Sequence, residues 1–172
     1  LNKDGILVIP KDIEEGIVLN EEGIKITAFW VEHGKFPALG YRLDYLGHSV
    51  VISGDTKYSE NLIKFAQDTD VLIHEVAMAR PELIEKSKRA RGILSSYTSP
   101  EEGGRIFSQV NPKLAVFTHI ILLSMDSTIP PPTIDEIIPR TQVNYKGPIE
   151  VGEDLMTIEI GEKVTVQRFS KD

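Results

Sequence analysis

Short apolar runs, at first close together and then spaced by helical segments, leave this chain few ways to fold. Ile24 to Glu32 reads as a strand, with Ile24, Ile26, Ala28 and Trp30 alternating onto one face. Leu39 to Tyr45 and Ser49 to Ser53 read as two more, joined by a hairpin turn at Leu46-Gly47-His48. The pattern then changes. Tyr58 to Gln67 has helical spacing, with Leu62, Ile63 and Phe65 on one side. Val71 to Ile73 is a wholly apolar strand of the kind buried on both faces. Pro81 opens a helix to Arg91, since proline suits the first helical turn. Ser99-Pro100-Glu101-Glu102 is a capping box for a helix to about Val110, which Asn111-Pro112 ends. Leu114 to Thr118 is a second buried strand. Pro130-Pro131-Pro132 forms a rigid connector to a short helix, Ile134 to Ile138. Leu155 to Ile160 and Lys163 to Phe169 make a closing hairpin turned at Gly161-Glu162. Antiparallel strands followed by alternating strands and helices predict a layered α/β domain, α+β by some schemes. No linker divides residues 1–172, so a single domain is expected.

The chain has no cysteine and four histidines, so a transition metal would have to be held by imidazole and carboxylate. His33 follows the first strand, Asp55 follows Val50-Val51-Ile52-Ser53-Gly54, His74-Glu75 follows Val71-Leu72-Ile73, and His119 follows Ala115-Val116-Phe117-Thr118. Each is ordinary alone: a histidine after a strand is commonly a bonded loop residue, and Asp after Ser-Gly a turn or cap. Their repetition at four strand ends is what suggests one shared site on one sheet edge. Imidazole and carboxylate suit zinc, iron or manganese, and a carboxylate can bridge two ions. Gly54 would let the backbone approach closely. His48, beside Gly47, reads as an exposed turn residue without a role.

The same residues resemble a known family. Val31-Glu32-His33-Gly34, Pro37-Ala38-Leu39-Gly40-Tyr41-Arg42, Val51-Ile52-Ser53-Gly54-Asp55-Thr56, Asp70-Val71-Leu72-Ile73-His74-Glu75, Ser99-Pro100-Glu101-Glu102 and Pro112 to His119 occur in an order similar to the second half of metallo-β-lactamase-fold hydrolases. The ribonuclease Z-like and arylsulfatase-like branch is the nearest in pattern, over roughly residues 20 to 168. The resemblance implies half of an αββα sandwich, a mixed sheet with helices packed on one face. It implies that His33 binds one metal ion, Asp55 bridges two and His119 binds the other. It places Asp55, His74 and Glu75 in the catalytic set, the His74-Glu75 pair orienting groups beside the site and moving protons. Two divalent ions would complete the full-length protein, zinc first, with manganese or iron as alternatives.

Two departures qualify the resemblance. The family's leading His-x-His-x-Asp-His motif is not in these residues, and no histidine precedes His33. Taken with a first residue of Leu and a strand-like segment almost at once, this suggests a fragment or processed product that binds metal weakly and hydrolyses nothing alone. Tyr97 stands where the family often has a histidine, and a phenol of ordinary pKa about 10 is a poor proton shuttle near neutrality. Only Ala38 to Gly54 separates the third and fourth motifs, too little for the arm of tRNA-processing members. With a net charge of −7, tRNA is disfavoured and a small-molecule ester, phosphodiester or sulfate ester expected. Lys86, Lys88, Arg89 and Arg91 read as a solvated helix end or a phosphate-contacting patch. Ile120 to Met125 either lines a pocket or packs as a core loop. No apolar run is long enough to span a bilayer and no signal peptide opens the chain, so no membrane partner and a cytoplasmic location are expected. The alternative to an enzyme is a non-catalytic half-domain, or a degenerate homologue, that associates with the missing N-terminal half or with a second copy as a homodimer.

Overall fold

The computed structural model describes residues 10–170, so the strand-like segment expected directly after Leu1 lies outside the described residues. The strands are β1 (Gly16–Glu21), β2 (Ile24–His33), β3 (Phe36–Tyr45), β4 (His48–Ile52), β5 (Val71–Ala79), β6 (Leu114–Leu123), β7 (Ile149–Val151), β8 (Thr157–Ile160) and β9 (Val164–Gln167). The helices are α1 (Glu60–Phe65), α2 (Pro81–Lys86), α3 (Lys88–Leu94), α4 (Pro100–Val110) and α5 (Ile137–Thr141), the last preceded by a 3-10 turn at Ile134–Glu136. Strands β1 to β7 form one mixed sheet in sequence order, and β8–β9 form a separate hairpin. The β1 to β4 pairs are antiparallel and the β4 to β7 pairs parallel. Two antiparallel steps bring β2 back to the direction of β4, β5 and β6. Their C-terminal ends therefore share one edge, which is why His33 and Asp55 arrive on the same side of the molecule as His119.

One face of the sheet is covered by helices. Phe29, Val51, Leu72 and Phe117 pack there against Leu62 of α1 and Ile106 and Phe107 of α4, all fully buried. Burying each such side chain contributes about 1.5–3 kcal/mol. Gly40 is required beneath this layer, because a Cβ there would strike the Phe29 ring. On the other face the β8–β9 hairpin covers Val71, Leu114 and Val116 with Ile158, Ile160, Val164 and Val166. The rest of that face stays open: Trp30, Leu43 and Ile52, on one side by strand register, are 42%, 37% and 46% exposed. The alternation expected for Ile24 to Trp30 is present, but it faces this partly open side.

Several elements differ from the sequence reading. Strands β5 and β6 run on to Ala79 and Leu123, so His74, Glu75 and His119 lie within strands and not beyond them. The polar residues that read as strand ends mark a bulge, where Glu75 pairs with Thr118, Val76 pairs with Ile120 and His119 is skipped. Ile120 to Leu123 is thus strand, with Leu122 against the core. The helix read over Pro81 to Arg91 is broken at Ser87, whose side chain accepts from the Ala90 amide and starts α3. The capping box at Ser99 and the left-handed cap at Asn111 form as expected. The weakly patterned β1 and the three-residue β7 were not foreseen.

Candidate metal centre

His33, the last residue of β2, is fixed from behind. Its Nδ1 lies 3.0 Å from the Ser96 carbonyl oxygen, so Nδ1–H donates there and Nε2 keeps a lone pair. Metal-binding imidazoles are commonly tied in this way through their other nitrogen. Asp55 leaves β4 through Gly54, which has φ 64° and whose added Cβ would strike the Leu39 carbonyl, so the close backbone approach needs glycine. His119 occupies the bulge with φ 42°, an uncommon conformation for a residue with a side chain. The bulge turns its imidazole toward Asp55: Nε2 is 3.5 Å from Oδ1, with the side chains 52% and 40% exposed. His119 is the one side-chain partner of Asp55 among the described residues.

Between the two histidines stands Tyr97. Its ring meets His33 edge-on at 4.9 Å and lies 6.2 Å from the His119 ring, inclined by 30°. Burial raises its pKa further, helped by the charges of Asp55 and Glu75. The sequence treated Tyr97 only as a substitution and gave no sign that it would touch both histidines. Among the described residues no three histidine or acidic side chains come together as ligands of one ion. Asp55 and His119 meet, while His33 reaches the site from the far side of Tyr97.

His74 and Glu75 are both buried, but they do not pair side chain to side chain. His74 Nδ1 lies 2.7 Å from the Glu75 backbone carbonyl and its ring packs edge-on to Phe107. Burial pushes its pKa down to about 4, against the effect of that bond, so it is neutral. His74 is thus fully buried, and its imidazole bonds the Glu75 backbone carbonyl and not the carboxylate. Glu75 Oε1 accepts from the Thr98 amide at 2.7 Å, while Oε2, like His74 Nε2, is buried without a partner. Burial raises the Glu75 pKa to about 8, with the Asp55 and Glu102 charges adding to it against the Thr98 hydrogen bonds. A protonated Glu75 therefore holds a proton close to the site at neutral pH. Thr98, unnoticed in the sequence, also donates through Oγ1 to the Thr56 carbonyl at 2.9 Å and so ties the α4 start to the Asp55 loop.

His48 is not the exposed turn residue expected. It starts β4 with Nδ1 3.4 Å from Asp70 Oδ2, at the opposite end of the sheet.

The chain matches the model of the beta-lactamase superfamily domain over residues 2–120. It is 26% identical over 153 residues to a ribonuclease Z of Mycolicibacterium gilvum, covering 87% of this chain and 51% of that protein. It is 30% identical over 114 residues to a ribonuclease Z of Myxococcus xanthus, covering 66% and 33%. The chain thus spans about half the length, 51%, of the first of these relatives and less of the second. Among solved structures it is similar to the metallo-beta-lactamase fold protein YhfI of Bacillus subtilis, with TM-score 0.60, 18% identity and coverage of 78% and 49%. It is similar also to human tRNase Z, short form, with TM-score 0.57, 20% identity and coverage of 84% and 46%. Relatives bearing those names weigh against the expectation that tRNA is disfavoured. With the mixed sheet and its helical layer already in view, the chain belongs to the beta-lactamase superfamily, as a ribonuclease Z-like member with the metallo-β-lactamase fold.

Proposed function

We propose that this chain is part of a metal-dependent hydrolase and contributes His33, Asp55 and His119 to a site for two divalent ions. The observation that carries this reading is the Asp55–His119 approach of 3.5 Å at the sheet edge, with Asp55 otherwise unpaired among the described residues. The donor set fits: one carboxylate, and two imidazoles of which His33 already has its far nitrogen occupied. Zinc suits these donors first, with manganese or iron as alternatives. When bound, such ions acidify a water for attack on an ester-type bond. Asp55 offers two oxygens and can bridge. The Ser96 carbonyl keeps His33 in the tautomer with a free Nε2. Glu75 stores a proton where the charge of Asp55 is felt. A phosphodiester is the favoured substrate class because the similar curated proteins are ribonucleases Z, with esters and sulfate esters as alternatives.

Three side chains split between two ions leave each sphere incomplete, so the remaining ligands come from outside these residues. The open sheet face at Trp30, Leu43 and Ile52 supports the same view, being an apolar surface that a further half of the fold, or a second copy, would cover. That face is also what favours the second reading, a non-catalytic half-domain acting by association. Among the described residues no helix is long and apolar enough to cross a membrane.

Calorimetric titration of the chain with Zn²⁺ and Mn²⁺, beside Asp55→Ala and His119→Ala, tests the proposal. Weak binding that both substitutions abolish, without turnover of a chromogenic phosphodiester, is expected. Submicromolar binding with turnover would show that the site is complete here. Binding indifferent to both substitutions would remove the metal centre altogether.

A further inference from the structure

We propose that a pocket of about 300 Å³ behind Tyr97 binds a small anion with an aryl or short acyl body, and that it is the substrate-side pocket of the candidate centre. The second clause rests on the hydrolase reading above; the first does not. The hollow exists because β5 places alanine at 77 and 79, which leave unfilled the space bounded by Ile84 of α2 and Leu94 of α3. Both alanines are nearly fully buried, so they form the floor of a hollow whose mouth is open to solvent. Pockets of this size with apolar walls and a few polar groups are the usual form of small-molecule sites.

The polar groups indicate charge. Arg140, Arg91 and Glu102 all line the pocket, and the Glu102 carboxylate is engaged by the Ser99 amide and hydroxyl, with Arg105 3.4 Å away. Arg140 is already held in a two-bond pair by Glu101, at 2.7 and 3.0 Å. Arg91 is different: its Nη1 donates to the Ile84 and Glu85 carbonyls, and among the described residues it has no carboxylate partner. The two carbonyls fix the guanidinium in place without neutralising it. In a chain of net charge −7 this is a positioned, exposed cation at the mouth of the hollow, without a carboxylate partner among the described residues. An anion placed there gains a charge-assisted bond while its apolar body fills the space between the alanines. The link to the candidate centre is Tyr97, which lines the pocket on one side and touches both His33 and His119 with its ring. A ligand in the hollow lies one aromatic ring away from those imidazoles.

Titration of ¹⁵N-labelled chain with 1-naphthoate provides the test. Amide shifts are expected at Ala77 to Ala79 and Leu94 to Tyr97. Ala77→Leu, which fills the hollow from the strand, is expected to abolish them, and Leu94→Trp does the same from the helix should the first variant misfold. Arg91→Gln is expected to weaken naphthoate about tenfold, the weight of one charge-assisted hydrogen bond, and to leave uncharged 1-naphthalenemethanol unchanged. Shifts confined to Trp30, Leu43 and Ile52, or binding that survives both filling variants, would overturn the pocket. Naphthalenemethanol binding as tightly as naphthoate would overturn its charge preference. Added Mn²⁺ then separates the two clauses. Paramagnetic broadening of the naphthoate lines, lost in Asp55→Ala, is expected. Manganese binding without broadening would make the pocket separate from the centre. Failure of manganese to bind would remove the hydrolase reading and leave the pocket to stand on its amide shifts.

Discussion

The two ends of the sheet each hold a histidine beside an aspartate at nearly the same distance, and they differ in what surrounds the carboxylate. At one end His48 lies 3.4 Å from Asp70, and at the other His119 lies 3.5 Å from Asp55. Asp70 is only 8% exposed and saturated: the Ser49 amide donates at 2.8 Å, Lys113 at 2.6 Å and His48 stands beside them. Burial pushes its pKa up, but Lys113 and the Ser49 amide outweigh that and hold it below the usual carboxylate range. Asp55 is 40% exposed and has His119 as its one side-chain partner among the described residues. A carboxylate whose lone pairs are used makes a joint between strands, while one whose lone pairs are free can bind something. Residue type and spacing were alike at both ends; the supply of hydrogen-bond donors was not.

The largest expected effect breaks the comparison on stability. Asp70→Ala strips the buried acceptor from the Ser49 amide and Lys113 and unpins β4 from β5 and β6. It is expected to cost about 2–3 kcal/mol in urea unfolding. Asp55→Ala, removing an exposed side chain with one partner, is expected to stay within about 0.5 kcal/mol. A loss at Asp55 matching that at Asp70 would mean that the candidate site is a structural joint too.

A smaller effect separates the ends by pH. Asp70, with its lowered pKa, contributes stability above its unfolded value that is lost only as acid protonates it. Glu75 works the other way: raised to about 8, it contributes stability at low pH that disappears as pH rises toward that value. His74, lowered to about 4, costs stability as pH falls below its ordinary value of 6.5. Between 4.5 and 6.5 the Glu75 and His74 slopes oppose each other, and above 6.5 Glu75 acts alone. Stability is therefore expected to fall by on the order of 2 kcal/mol from pH 6.5 to 8, and Glu75→Gln to flatten that fall. A chain equally stable at both pH values would show that Glu75 ionises freely.

These contrasts mark where the sequence could be read and where it could not. Apolar runs, the Ser99 capping box and the Asn111 stop are local signals, and the elements they define were found. Strands β5 and β6 were cut short because Glu75, Thr118 and His119 look like strand ends, and only pairing across the sheet reveals a bulge. Their places after apolar runs raised the expectation that His33, Asp55 and His119 share one sheet edge; Asp55 and His119 do meet, while His33 packs against Tyr97. Tyr97 could not be placed that way. Its ring lies between the histidines because Ser96 is held against His33 and Thr98 against Glu75, two contacts that link residues remote in sequence. Saturation of Asp70 by Lys113 is hidden for the same reason.

The smallest expected effect uses backbone strain to sharpen the contrast between the histidines. His119 sits at φ 42°, whereas His48 is ordinary extended strand. A side chain in the left-handed region costs roughly 1–2 kcal/mol, and a glycine introduced there avoids this cost but adds freedom to the unfolded chain. His119→Gly is thus expected to stabilise the metal-free chain by about 0.5 kcal/mol, while His48→Gly loses about 1 kcal/mol with nothing relieved. The metal affinity seen by calorimetry should respond in reverse, falling with His119→Gly and holding with His48→Gly. A chain that is made more stable by losing a residue keeps that residue for something other than folding. Parallel losses of stability at both positions would return His119 to the category that His48 already occupies.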